Sequence, residues 1–116
     1  MVVPREDGWL LHTNHFLDRA FSVGERVDEN STTRLRFEHL QRVVPQMISD
    51  NLAVRADTMC GVDGDASPVC SHPDMTPADI QRWETLLTVG IDTASRALEY
   101  AAANPYGLSQ SGLVHF

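Results

Sequence analysis

The stretch of this chain whose residue types could do chemistry is Leu11-His12-Thr13-Asn14-His15-Phe16. Two readings of it compete. His12 and His15 could bind a metal if they shared a face, as residues three apart do on a helix. On a strand, positions 12 and 15 point to opposite faces. The apolar run Trp9-Leu10-Leu11 just before them favours a strand, which argues against a metal site. The second reading makes Asn14 a donor to an oxyanion. A carboxamide on a rigid strand offers neutral N–H groups that need no reorganisation as charge develops on a reacting carbonyl oxygen, and losing one such donor costs on the order of 3 kcal/mol. Against it stands an ordinary asparagine that forms a turn or satisfies a neighbouring polar group.

Other reactive side chains carry less. Cys60 and Cys70 are the only cysteines. Two are too few for a disulfide scaffold, so a reduced, structural pair is expected, with a loop disulfide as the alternative. His72, close to Cys70, reads as a hydrogen-bonded structural histidine rather than a ligand or base. His39 reads as solvent-facing and His115 carries no signal. The acidic stretch Asp57 to Asp65 lacks the acid spacing of a calcium loop and reads as solvated loop. Trp9 and Trp83 could line a pocket, but aromatic residues beside sheets usually pack.

Elements must hold these residues in place. Gly8 to His15 reads as a buried strand and Phe16 to Glu29 as a loop. Asn30-Ser31-Thr32-Thr33 offers helix caps. Phe37, Leu40, Val44 and Met47 follow at helical spacing as a core stripe. Pro45 should end that helix and begin a short second one through Leu52. Arg55 to Asp65 reads as a loop, and Pro68 to His72 as a short strand. Thr76-Pro77-Ala78-Asp79 has the form of a brief helix start. Leu87, Val89 and Ile91 alternate with polar or small residues in a strand over 85–91. A turn at Asp92 to Ser95 leads to a second strand over 96–102, with Leu98, Tyr100 and Ala102 on one face. From Asn104 onward the tail reads as irregular. Strands bordering helices, with a terminal hairpin, give an α+β class in one domain over 1–116.

The segment Leu11-His12-Thr13-Asn14-His15-Phe16-Leu17 resembles a motif of the acyl-coenzyme A:6-aminopenicillanic acid acyltransferase family, which includes carcinine-hydrolase-like and peptidase-like members. The likeness continues in order. Ser31-Thr32-Thr33-Arg34-Leu35 is similar to a Ser/Thr-rich start to an amphipathic helix. Val69-Cys70-Ser71-His72-Pro73-Asp74 is similar to a Cys-x-His-Pro stretch, and Thr85 to Asp92 to the penultimate strand. Asn104-Pro105 matches the turn after the last strand. The similarity spans about residues 8 to 106.

The resemblance implies an N-terminal-nucleophile hydrolase fold, an αββα sandwich of antiparallel sheets with flanking helices. It implies amide-bond hydrolysis or acyl transfer through a cysteinyl thioester, with the cysteine's own α-amine as base. It assigns the oxyanion role to Asn14, an active-site role to Arg34, a polar role to Thr88, and substrate contacts to His12, Thr13 and His15. No cofactor is expected. The small-molecule partner would be an amide or acyl donor, acyl-coenzyme A among them. The departure is the nucleophile: Met1 is followed by Val2, and both cysteines are internal and follow the oxyanion segment. The chain therefore resembles the C-terminal portion of the family, and is expected to need the N-terminal part or another chain. The alternative is a non-catalytic remnant or partner-binding module of the same fold.

Composition sets outer bounds. The chain has 116 residues, 42% hydrophobic and 22% charged, ordinary values for a globular protein. Its net charge of -7 disfavours nucleic acid and anionic membrane surfaces as partners. No apolar run approaches the roughly 20 residues that span a bilayer. Met1 to Asp7 lacks the basic-then-apolar form of a signal peptide, so a cytoplasmic location is the default.

Overall fold

The computed structural model describes residues 6–72, 84–112 and 114–115. The expected helix start at Thr76 to Asp79, and Trp83, lie outside the described residues. The fold is α+β. Helices α1 (Thr33–Val43), α2 (Leu52–Cys60) and α3 (Pro105–Ser111) accompany strands β1 (Thr88–Asp92), β2 (Ala97–Ala101) and β3 (Val114–His115). The strands form one antiparallel sheet in the order β1-β2-β3.

Helix α1 begins in the Ser/Thr-rich stretch and stops where Pro45 enters a 3-10 turn over Val44–Gln46. Val44 and Met47 are buried as expected, whereas Phe37 and Leu40 are only half covered. The buried stripe is rotated toward Thr33, His39 and Val43. His39 is the correction here: it is 2% exposed, not solvent-facing. Its Nε2 lies 2.8 Å from the carbonyl of Met59, in the last turn of α2. The last four carbonyls of a helix have no partner inside it, and the imidazole N–H supplies one.

The second helix also differs from the sequence reading. Pro45 opens only the 3-10 turn, and α2 occupies part of the span expected as loop. Its cap is Asn51, whose side chain accepts the Val54 N–H at 3.2 Å. The Gly61–Ala66 stretch then winds as 3-10 helix with a break at Gly64. Pro68 to His72 forms turns and bends rather than a strand. The expected irregular tail is instead α3 followed by β3. Asn104 caps α3 by accepting the Gly107 N–H at 2.8 Å, Pro105 takes the first turn, and Gly112 ends it at φ 79°.

The hairpin forms as expected, with Gly90 opposite Glu99 and Ile91 opposite Leu98. Its faces are not apolar-in and polar-out. The inward face presents Thr88, Gly90 and Ala101, small groups that let α2 approach. Leu52 of α2 sits where a Cβ on Gly90 would be. Ala56, Ala101 and Leu108 complete this small core. The alternating apolar set points outward: Val89 is 42%, Ile91 70% and Leu98 38% exposed.

The turn between β1 and β2 is held by Asp92. Its carboxylate accepts the Ser95 hydroxyl and the amides of Ala94 and Ser95. These hydrogen bonds, the Ser95 hydroxyl foremost, hold the Asp92 carboxyl below the usual aspartate value. A depressed carboxyl stabilises the fold above its unfolded pKa of about 3.9, and that stabilisation is lost as pH falls through the folded value. A carboxyl-carbon NMR titration is expected to give Asp92 a midpoint below 3.9 that rises in Ser95→Ala. An unchanged midpoint in that variant would remove the hydroxyl as the main cause.

Candidate functional site

The segment around Asn14 is not a strand. Residues 9–16 run as irregular chain with a bend at Asn14 and His15, and Leu10 is exposed. A strand needs a hydrogen-bonding neighbour. Among the described residues the sheet ends at β1, and no strand pairs with this segment. Its anchors are local instead. The Asn14 backbone N–H donates to Thr33 Oγ1 at 2.8 Å. His15 Nδ1 lies 3.2 Å from that same hydroxyl and 2.9 Å from Thr13 Oγ1. His15 meets Phe37 edge-on, with ring centres 5.3 Å apart. Arg55 lies over the Trp9 ring at 5.6 Å, a cation–π contact that fastens the start of the segment.

Thr33 is thus the post to which the segment is tied. Thr13, His15 and Thr33 are buried, and Asn14 between them is exposed. Its carboxamide makes no hydrogen bond among the described residues and is presented to solvent. Arg34, the next residue on α1, pairs with Glu25 Oε2 at 3.4 Å, while Glu25 Oε1 accepts the Phe16 N–H at 2.7 Å. Glu25 therefore ties Arg34 to the end of the same segment. The structure brings Thr13, Asn14, His15 and Arg34 into one neighbourhood around Thr33. His12 is exposed and stands opposite to His15 in burial. Thr88 is not joined to this group by any described contact. Its hydroxyl donates to the Ala103 carbonyl at 2.7 Å and ties β1 to the turn before α3.

A cavity of about 300 Å³ opens elsewhere, beside that turn, and is lined by Asp65, Ser71, His72, Thr85, Asn104 and Tyr106 among others. Asn14 and Arg34 are not in its wall. His72 Nε2 lies 2.5 Å from Asp65 Oδ1 and 3.0 Å from Asn104 Nδ2. The Asn104 amide is oriented by its capping bond, because Oδ1 is already taken by Gly107. One ring nitrogen cannot both donate to Asp65 and accept from Asn104, so only one of the two contacts is a hydrogen bond in a given tautomer. His72 and Asp65 are at least half exposed, so water screens the pair. Sequence reading placed His72 as a structural histidine but missed the Asp65 and Asn104 partners. The N-cap, proline and glycine pattern at 104, 105 and 112 was the available signal for Asn104. Nothing local marks Asp65.

Among the described residues no group of three side chains is placed to hold a metal ion, and no helix is long and apolar enough to cross a membrane. No family model, no curated protein and no solved structure matches this chain.

Proposed function

We propose that this chain is the C-terminal part of a cysteine amidohydrolase or acyltransferase of the N-terminal-nucleophile type. It would act on amide bonds, or pass acyl groups through a cysteinyl thioester, only together with polypeptide that supplies the nucleophile. The observation that carries this reading is the outward face of the hairpin. Val89, Ile91 and Leu98, with Leu87 just before β1, form an apolar surface that is exposed among the described residues. A lone antiparallel sheet with one solvated face places its polar residues there. An apolar outer face is what a sheet of an αββα sandwich presents to the second sheet. The nucleophile and that second sheet would come from the same missing part, or from another chain.

In this reading Asn14 stabilises the oxyanion, and the Thr33 post takes over the positioning that a strand was expected to provide. Arg34, restrained by Glu25, faces the same region and would polarise or orient an acyl donor, with His12, Thr13 and His15 bordering it. Thr88 would act only through the turn at Ala103. The second reading, a non-catalytic partner-binding module of the same fold, is favoured by the exposed position of Asn14 outside the cavity.

Side-chain amide NMR separates the two. On titration with small thioesters and N-acyl amides, the Asn14 carboxamide signals are expected to move more than those of Asn30, Asn51 and Asn104, without turnover. Asn14→Ala should abolish the response and leave the fold intact. Shifts confined to the cavity at His72, or no shifts at saturating ligand, would discard the oxyanion role and leave the binding module.

A further inference from the structure

Cys60 closes α2, and Cys70 lies ten positions on, past the 3-10 stretch. Their sulfurs are 2.8 Å apart. Ordinary non-bonded contact between heavy atoms is ~3.5–4 Å, and a disulfide bond is ~2.05 Å, so this pair stands between the two. Both side chains are buried, Cys60 completely. The backbone is already bent to bring them together. Gly61 and Gly64 adopt positive φ (60° and 50°), which glycine tolerates without cost, and the Cys70 N–H turns back onto the Ser67 carbonyl at 3.0 Å. With no third cysteine in the chain, no competing internal pairing exists.

We propose that Cys60 and Cys70 form an intramolecular disulfide when the chain meets an oxidising thiol pool. The bridge would close the loop that carries Asp63 and Asp65, and so fix one wall of the cavity at His72. The chemistry needs a low-molecular-weight disulfide as oxidant, oxidised glutathione being the probe. One protein thiolate attacks a glutathione sulfur, forming a mixed disulfide and releasing one glutathione thiolate, which takes up a proton. The other protein thiolate then attacks the protein-side sulfur, forming the Cys60–Cys70 bond and releasing the second glutathione. Two electrons pass from the protein to glutathione. Cys70, with 5% exposure against 0% for Cys60, is the more accessible partner for the first step. Burial, and then the adjacent Cys70 sulfur, push the Cys60 thiol up, so few Cys60 thiolates exist near neutrality. The bridge therefore forms slowly, and once formed it is shielded from reductants. In a reducing compartment the pair stays as thiols.

The test uses the full chain, reduced and then equilibrated with excess oxidised glutathione in native buffer and, in parallel, in denaturant. Each sample is acid-quenched, unfolded, treated with N-ethylmaleimide and weighed intact. The expected native product is a monomer lighter by two hydrogens, carrying no maleimide and no glutathione, at a higher fraction than in denaturant. Its melting temperature should exceed that of the reduced chain by roughly 10 °C, the scale expected for closing a loop of this length. Two maleimide adducts, a glutathione adduct, linked dimers, or a bridged fraction no higher than in denaturant would each overturn the proposal.

Discussion

Leu108→Ala is expected to destabilise the chain by about 3 kcal/mol, within the range for large-to-small changes at fully buried sites. Leu108 is 0% exposed and is the largest side chain in the core shared by α2, α3 and β2. Its neighbours Ala56 and Ala101 are small and cannot lean in to fill the space. Leu52, the other long side chain at this core, is held against Gly90. The cavity would therefore stay largely open. Against a typical domain stability of 5–15 kcal/mol this is a large share, and at this chain length it corresponds to a fall of roughly 10 °C in Tm. Urea unfolding should show a lower midpoint with an unchanged slope. Gln110→Ala, on the exposed side of the same helix, should stay within about 0.5 kcal/mol of the parent. If Leu108→Ala cost less than about 1 kcal/mol, α3 would not be docked on α2 as described.

That helix shows where sequence reading reached its limit. The hairpin was legible because alternation over 85–102 is a local signal, and its register follows from a turn that Asp92 closes within four residues. Helix α1 is legible from its Ser/Thr-rich start and from Pro45, although the Thr32 side chain makes no capping bond. Helix α3 escapes a local reading because Pro105, Gly107 and Gly112 look like helix breakers, whereas Asn104-Pro105 starts the helix and Gly112 ends it. His39 was misplaced because its polar sequence neighbours say nothing of the Met59 carbonyl twenty residues away. Which face of the hairpin lies inward could not be taken from alternation at all. It is decided by Leu52 needing the room that Gly90 leaves, a contact between α2 and β1. For the candidate site, the residue types at 12–15 and 34 were visible in the sequence. The post that gathers them was visible only as one member of a capping stretch, since Thr33 and Asn14 are nineteen positions apart.

Thr33→Val tests that post with almost no change of shape. The substitution keeps a β-branched side chain in a helix, and at 1% exposure there is no water to replace the lost hydroxyl. The Asn14 N–H loses its acceptor and His15 Nδ1 loses one of its two hydroxyl neighbours. Leaving buried polar groups unpaired costs about 1–3 kcal/mol. The cost should fall on the 11–16 segment rather than on the sheet, because the α2, α3 and β2 core includes none of these groups. Hydrogen exchange at the Asn14 amide is expected to accelerate roughly tenfold to a hundredfold, the same energy read as local opening. Amides of β1 and β2 should keep their protection. Thr33→Ser, which retains the hydroxyl, should restore most of the protection at Asn14. The variant also bears on mechanism. If Asn14 is a positioned donor, its carboxamide response to thioesters should weaken in Thr33→Val and return in Thr33→Ser. An Asn14 amide that exchanges equally fast in all three proteins would show that Thr33 does not hold the segment. The exposed carboxamide would then be a surface group without a fixed direction, and the oxyanion role would lose the positioning it depends on.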